Sequence, residues 1–143
     1  NVFDYKGATL IADYGHNPDA MQALVQAVDG MKSIRRSVVI SGAGDRRDDD
    51  IRQQTEILGE AFDDAILYQD ACQRGREDGE VLALLREGLK HAKRTKRIDE
   101  ITGEFKAIDL ALERLQPGDL CLILIDQVEE ALAHITRRIA ESA

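Results

Sequence analysis

Residues 8–20 read Ala-Thr-Leu-Ile-Ala-Asp-Tyr-Gly-His-Asn-Pro-Asp-Ala, and this stretch decides the fold. The apolar run over residues 8–12 predicts a buried strand, and the polar residues 13–16 predict a turn. Asn17 and Pro18 suit the N-cap and first position of a helix, because the Asn oxygen accepts a backbone N–H and Pro has no donor to lose there. A strand that ends in Asp13 and His16 before a helix N-terminus is a place to handle phosphate.

The rest of the sequence alternates short apolar runs with amphipathic segments. Residues 2–5 and 8–13 flank Lys6-Gly7 and predict a hairpin. We predict further strands over residues 36–41, 65–68, 97–101 and 120–125, and helices over residues 18–31, 51–62, 79–92, 103–115 and 127–141. This order predicts an α/β fold: a Rossmann-like three-layer domain with a mostly parallel sheet and an antiparallel N-terminal hairpin strand.

Length and charge limit the class of protein. A chain of 143 residues fits one domain, and the start at Asn1 leads us to expect a fragment of a longer protein. The net charge of −8 argues against nucleic acid and anionic membrane as partners, and leaves room for a cationic substrate. No apolar run reaches the ~20 residues of a spanning helix and no signal peptide opens the chain, so we expect a cytoplasmic location.

Several residues receive structural interpretations. Cys121 lies in the most apolar strand and is expected to be a buried, inert thiol. His134 is expected at the surface or boundary of the last helix, and Phe105 is expected to align with the inward residues of the fourth helix. The acidic residues 48–50 are expected to favour a helix N-terminus rather than to bind metal, so no metal site is predicted in this chain.

The polar residues that remain follow the predicted strands. In parallel sheets, ligands bind at the carboxyl ends of the strands. Four loops at this edge supply carboxylates, a histidine and four arginines: residues 13–17, 42–50, 69–77 and 126–127. Arginine can bind phosphate or carboxylate through two parallel hydrogen bonds, and Gly42 and Gly44 let the backbone approach a ligand. The convergence of these loops, rather than any one of them, predicts a binding site.

Two of these loops resemble signatures of a known family. Residues 13–20, Asp-Tyr-Gly-His-Asn-Pro-Asp-Ala, resemble the D-Y-[AG]-H-[NT]-P-[DE]-[AS] signature of the C-terminal domain of Mur ligases, and residues 42–47, Gly-Ala-Gly-Asp-Arg-Arg, resemble its G-x-G-D-R-D loop. The match follows the whole domain in element order. The segments 74–80 and 84–89 look most like the cyanophycin synthetase branch of the family. The Asp-Asn-Pro-Arg loop of relatives that take diaminopimelate is absent.

The resemblance implies ATP-dependent amide formation through an acyl phosphate. In the cyanophycin branch, arginine is expected to join the β-carboxylate of an aspartate in a polymer acceptor. The sequence contains no G-x-x-x-x-G-K-[ST], so a P-loop domain upstream of Asn1, preceded by an ATP-grasp domain, is expected to hold most of the ATP and Mg²⁺. The chain would then be the C-terminal lid of a multidomain ligase, inactive alone.

The resemblance also implies roles for individual residues. Asp13 and His16 are expected to face the γ-phosphate and the attacking amine. The nucleotide is expected to be bordered by Tyr14, Asn17, Gly44, Asp45 and Arg46. The amino-acid substrate is expected to contact Asp70, Arg74, Arg76 and Asp126: a carboxylate (Asp70, Glu77 or Asp126) for a guanidinium, and Arg74 or Arg76 for a carboxylate.

Three alternatives stay open at this point. The domain could be the lid of another Mur-type amino-acid or folylpolyglutamate ligase. It could also be a non-catalytic nucleotide-binding module of Rossmann type, although the first strand lacks G-x-G-x-x-G. A phosphorylatable signalling domain would need an acidic pair after the first strand and a lysine after the last, and the sequence offers neither.

Overall fold

The computed structural model describes residues 2–14, 17–41, 47–69, 79–125 and 127–142. Strands and helices alternate after an initial hairpin, as the sequence predicts. The strands are β1 (Val2–Tyr5), β2 (Ala8–Asp13), β3 (Arg36–Ile40), β4 (Asp64–Gln69), β5 (Arg97–Thr102) and β6 (Leu120–Leu124). The helices are α1 (Pro18–Asp29), α2 (Asp48–Leu58), α3 (Glu80–Gly88), α4 (Glu104–Arg114) and α5 (Val128–Ser142).

The six strands form one sheet in the order β1-β2-β6-β3-β4-β5. Only β1 runs antiparallel to its neighbour, β2, and all other pairs are parallel. The predicted fold class is therefore confirmed. Because the strands are parallel, the carboxyl ends of β2 to β6 all lie at one edge of the sheet, which we call the carboxyl edge.

Apolar side chains on the two faces of the sheet form two separate cores. In β6, Leu122 packs into one core and Ile123 into the other, as expected from the two-residue period of a strand. The first core also contains residues of α1, α2 and α3, and the second contains residues of α4 and α5. Helices thus cover both faces, and every residue of β6 is buried.

The hairpin between β1 and β2 has the backbone that its sequence predicts. Lys6 and Gly7 both have positive φ, 51° and 85°, as a two-residue turn of type I′ requires. Gly7 also lies against Pro117, which a Cβ at this position would approach to 3.1 Å. Two features therefore favour glycine at position 7: the positive φ and the close approach of Pro117.

Three helix boundaries differ from the prediction by three or four residues, and one of them is the end of α2, at Leu58 rather than residue 62. Helix α2 begins at Asp48 rather than Ile51, because Asp48, Asp49 and Asp50 form its first turn and favour the positive end of the helix dipole. Helix α3 ends at Gly88, four residues before the predicted end. Gly88 lies where α3 crosses α2. The absence of a side chain at this position allows the two helices to pack closely.

Phe105 does not join the inward residues of α4. Its side chain is 36% exposed and stacks on the ring of His134, with centroids 4.9 Å apart and planes 8° from parallel. His134 Nε2 lies 2.7 Å from Asp109 Oδ1, so the histidine joins α5 to α4 as a boundary residue. The helical period therefore predicted the inward position of Ile108 and Leu112 correctly. It was wrong for Phe105, which lies in the first turn of α4.

Cys121 is fully buried in β6, as predicted. Burial raises the pKa of its thiol to about 12, against a smaller lowering by a hydrogen bond with Ser37. Only the thiolate reacts readily, so this cysteine is inert near neutral pH. Among the described residues, no helix is both long and apolar enough to cross a lipid bilayer.

The ion pair between Arg86 and Glu100 gives the fold a pH dependence. Arg86 Nε and Nη2 donate to the two oxygens of Glu100 at 2.5 and 2.6 Å. This hydrogen bonding lowers the pKa of Glu100 below its ordinary 4.5 by more than partial burial raises it. Since the folded-state pKa is the lower one, the pair stabilises the fold above about pH 4.5 and loses that contribution as the pH falls through the folded-state pKa.

We therefore expect Arg86→Gln to lower the melting temperature by about 2–4 °C at pH 6, the effect of an exposed pair worth up to about 1 kcal/mol. The difference from the unmodified chain should shrink toward pH 3.5, as followed by circular dichroism. Lys90→Gln removes the same charge from an exposed side chain just beyond α3 and is the control. An equal loss at both pH values would contradict this prediction.

Candidate ligand site at the carboxyl edge

Helix N-termini and strand ends meet at the carboxyl edge. Each of the five described helices follows a parallel strand and so begins at this edge. Their first turns present backbone N–H groups and partial positive charge toward the same side of the molecule. Such an edge favours ligands with negative charge, and phosphate above all.

Asp13 is an acidic residue that hydrogen bonds hold at this edge. It ends β2 opposite Leu124 of β6, and its carbonyl accepts a hydrogen bond from the N–H of Ile125 at 2.8 Å. Its Oδ1 accepts from the N–H of Tyr14 at 2.7 Å, which fixes the side chain against the turn. Within the described residues, Oδ2 accepts no hydrogen bond, and the side chain is half-buried. One carboxylate oxygen is thus left for a ligand.

Asn17 and Pro18 start α1 as the sequence predicts. Asn17 has extended backbone angles (φ −134°, ψ 161°), and its Oδ1 accepts from the N–H of Ala20 at 2.8 Å. Pro18 occupies the first helical position, and the N–H of Met21 donates to the Asn17 carbonyl at 3.1 Å. The cap engages Oδ1, and the amide NH₂ of Asn17 makes no hydrogen bond within the described residues.

Tyr14 lies between these two residues and is 63% exposed. Its hydroxyl makes no hydrogen bond within the described part of the chain. An exposed ring beside a strand end can border a planar base or a sugar, the position predicted for it from the sequence.

The other predicted site residues lie outside the residues that the structure describes. They are His16, Gly44, Asp45, Arg46, Asp70, Arg74, Arg76 and Asp126. Described residues on either side of these segments end strands or begin helices at the carboxyl edge, such as Gln69 at the end of β4 and Gly79 before α3. The roles of these eight residues therefore stay predictions.

Gln69 stabilises the carboxyl edge through two hydrogen bonds. The sequence predicted no role for this residue. Its Oε1 accepts from the N–H of Gly79 at 2.9 Å, and its carbonyl accepts from the N–H of Gly103 at 2.8 Å. One residue at the end of β4 thereby ties the beginnings of α3 and α4. Gly79 and Gly103 both have positive φ, 83° and 107°, a signal of sharp chain turns at these two points.

Glu104 also stabilises this edge, and its carboxylate is buried, with 2% exposure of the residue. Its Oε1 accepts from the N–H of Gln127 at 3.1 Å, before α5. The hydroxyl of Tyr68 donates to the carbonyl of Leu124 at 2.8 Å and lies 3.2 Å from Glu104 Oε2. These contacts join β4, β6, α4 and α5 beneath the carboxyl edge, so they act on the shape of the site rather than on a ligand.

The described residues do not fit a metal centre. They contain no group of three histidine, cysteine or carboxylate side chains that could hold a metal ion. Ion pairs with arginines engage acidic residues that open α2: Asp50 pairs with Arg47 at 3.2 Å and Asp49 with Arg52 at 2.5 Å. Their role at the helix N-terminus agrees with the prediction from the sequence.

The fold is a Rossmann-like α/β domain in which the strand ends and the helix N-termini meet at the carboxyl edge. The chain belongs to the Mur ligase family: residues 1–124 match the family described as "Mur ligase, glutamate ligase domain". Among curated relatives, the cyanophycin synthetase of Geminocystis herdmanii is 33% identical over 137 residues, which cover 96% of this chain and 16% of that protein. The UDP-N-acetylmuramoyl-L-alanyl-D-glutamate–2,6-diaminopimelate ligase of Bradyrhizobium diazoefficiens is 34% identical over 122 residues, covering 85% and 24%.

Solved structures share the fold. A UDP-N-acetylmuramoyl-L-alanyl-D-glutamate–2,6-diaminopimelate ligase aligns with a TM-score of 0.78 and 21% identity, over 96% of this chain and 31% of that one. Escherichia coli FolC in complex with ADP aligns with a TM-score of 0.71 and 20% identity, over 99% and 31%. The chain thus spans about a sixth of the cyanophycin synthetase and a third of these structures.

Proposed function

We propose that this chain is the C-terminal lid of a multidomain ligase that joins a carboxylate to an amine at the expense of ATP. Its membership of the Mur ligase family supports this function, as does the ADP bound to FolC, which has the same fold. The main structural support is the position of Asp13. Its carboxylate is fixed at the end of β2, beside the N-terminus of α1, and one of its oxygens is left for a ligand.

The carboxyl edge provides half of such a site. The 143 residues contain no P-loop motif, and we propose that another domain of the ligase holds the phosphates of ATP. Val2 pairs with Ile11 near the end of β2, so β1 begins close to the carboxyl edge. A domain joined ahead of β1 would therefore connect beside the site. The proposed upstream partners are a P-loop domain and, before it, an ATP-grasp domain.

The proposed reaction has two steps. A substrate carboxylate attacks the γ-phosphate of ATP, giving an acyl phosphate and ADP, and an amine then displaces inorganic phosphate to leave an amide. Both steps gather negative charge at one centre, which the N-termini of the helices and nearby cations stabilise. Mg²⁺ would neutralise phosphate charge, and we propose that the upstream P-loop domain holds most of it.

Asp13 and His16 are proposed to face the reacting groups. A carboxylate at this point can accept a proton from the ammonium group of the substrate, which frees the amine lone pair for attack, or it can orient that amine toward the acyl phosphate. Tyr14 and Asn17, with Gly44, Asp45 and Arg46, are proposed to border the nucleotide.

The finer proposal is a ligase of the cyanophycin synthetase type, which adds arginine to the β-carboxylate of aspartate in a polymer. It is supported by 33% identity over 96% of the chain to a cyanophycin synthetase. The second candidate, a diaminopimelate ligase, is supported by 34% identity over a shorter 85%. The sequence lacks the Asp-Asn-Pro-Arg loop expected of that branch, which favours the first candidate.

The arginine specificity is tested by Asp70→Ala and Arg76→Ala in the longer ligase. Loss of the carboxylate for the guanidinium, or of the cation for the substrate carboxylate, is expected to raise the KM for arginine at least tenfold, about 1.4 kcal/mol of binding. Initial rates of arginine-dependent ADP release measure this KM.

Asp4→Ala and Arg138→Ala, on β1 and α5, are the matched controls and should leave the KM unchanged. An unchanged KM in Asp70→Ala and Arg76→Ala would refute the assignment of these residues. Turnover with diaminopimelate in place of arginine would move the chain to the second branch while keeping it a ligase lid.

A further inference from the structure

A cavity of about 350 Å³ lies at the opposite end of the strands from the carboxyl edge. It is open to solvent and is lined by residues at the beginnings of β3, β4 and β5, at the end of α4 and in the turn that leads into β6. Ser37 of β3 lines the cavity, and the three residues that follow it in this strand separate the cavity from the carboxyl edge, roughly 10 Å of extended chain. Its volume is within the range of small-molecule sites.

The charged side chains that line the cavity are three arginines and two aspartates. Three arginines line it, Arg35, Arg97 and Arg114. Arg35 is paired with Asp64 through two hydrogen bonds of 2.9 and 2.7 Å.

Arg97 and Arg114 share a single carboxylate. Arg114 Nη1 donates to Asp99 Oδ2 at 2.6 Å, and Arg97 Nε lies 3.4 Å from the same oxygen. Each guanidinium has five N–H donors, so one carboxylate leaves most of them unused within the described residues. An added carboxylate can accept from them in pairs.

The rest of the lining is apolar or acidic. Ile66, Leu115 and Pro117 provide an apolar surface, and Ile34, 80% exposed, stands at the rim. Asp64 and Asp119 also face the cavity, and their charges disfavour a multiply charged phosphate. The lining therefore favours a ligand that has a single negative charge and an apolar remainder.

We infer that this cavity binds a small organic carboxylate with an apolar body, held by the paired guanidinium groups of Arg97 and Arg114. The site is built by the strand beginnings and α4, and it uses none of the residues assigned to ligation. A ligand there would touch β3 and β4, the strands that lead to the carboxyl edge.

The test is a titration of the ¹⁵N-labelled chain with 3-phenylpropionate, followed by amide and arginine Nε–H signals. Saturable shifts are expected at Ile34, Leu115 and Arg97. The uncharged 3-phenylpropanamide has the same body, and it should bind at least fivefold more weakly. Arg97→Gln and Arg114→Gln should each weaken binding of the carboxylate at least fivefold.

Arg86→Gln is the matched control, because Arg86 also pairs with a carboxylate of β5, Glu100, but does not line the cavity. It should leave the affinity unchanged. Arg97 is half exposed, so its substitution keeps the test valid even where Arg114→Gln unfolds the chain. Absence of shifts at 10 mM ligand, shifts spread over surface arginines, or equal binding of acid and amide would each overturn the inference.

Discussion

Replacing Asp13 with asparagine in the longer ligase is expected to lower kcat for ATP-dependent ligation at least a hundredfold. Asparagine keeps the size of the side chain and an oxygen for the 2.7 Å hydrogen bond from the N–H of Tyr14. It removes the charge that is proposed to orient or deprotonate the amine, and such groups typically contribute about 10²–10⁴ in rate. Single-turnover measurements of ADP release and amide formation separate this effect from substrate binding.

Asp4→Asn is the control for this substitution, because Asp4 lies in the neighbouring strand β1 and is exposed. It should leave kcat within twofold. A melting temperature of Asp13→Asn close to that of the unmodified protein shows that the fold is intact. If Asp13→Asn retained full turnover, Asp13 would be no more than the end of a strand.

Replacing Gly88 with alanine is expected to destabilise the fold by about 3 kcal/mol or more, at or above the usual cost of overpacking. A Cβ at Gly88 would lie 2.0 Å from Thr55 Oγ1 and 2.2 Å from the carbonyl oxygen of Arg52, which belongs to the backbone of α2. Helices α2 and α3 would have to separate, and the hydrogen bond from Thr55 Oγ1 to the Leu85 carbonyl, 2.7 Å, would be lost. Urea unfolding measures the free energy.

Gly30→Ala is the matched control at the C-terminus of α1. A Cβ there would have one neighbour, the carbonyl oxygen of Ala27 at an ordinary 3.5 Å, and φ is −80°. The change should stay within about 0.5 kcal/mol. A loss at Gly88 no larger than the loss at Gly30 would contradict the close packing of α2 on α3.

Features set by neighbouring residues were predictable from the sequence. The hairpin follows from Lys6-Gly7, and the start of α1 follows from Asn17-Pro18, since turn and cap chemistry act over a few residues. The alternation of apolar strands and amphipathic helices was enough for the parallel sheet. The burial of Cys121 was predictable from the apolar run around it.

Features set by distant contacts were not predictable. The bond from Tyr68 to Leu124 spans 56 positions, and the contact of Gly88 with Thr55 joins two helices, so no local pattern marks either of them. Phe105 fits the period of α4, yet it packs on His134 from another helix. Likewise, the cavity depends on strand order: Arg97 and Arg114 share Asp99 because α4 returns over β5.

The most direct test of the proposed function is ATP-dependent incorporation of labelled arginine into an aspartate polymer, measured for the longer ligase and for the 143-residue chain alone. The carboxyl edge is proposed as half of a ligation site, so arginine should be incorporated by the longer ligase and not by the isolated chain. No arginine-dependent ADP release by the longer ligase would contradict the arginine specificity, and arginine ligation by the isolated chain would contradict the proposal that the carboxyl edge is half of the site.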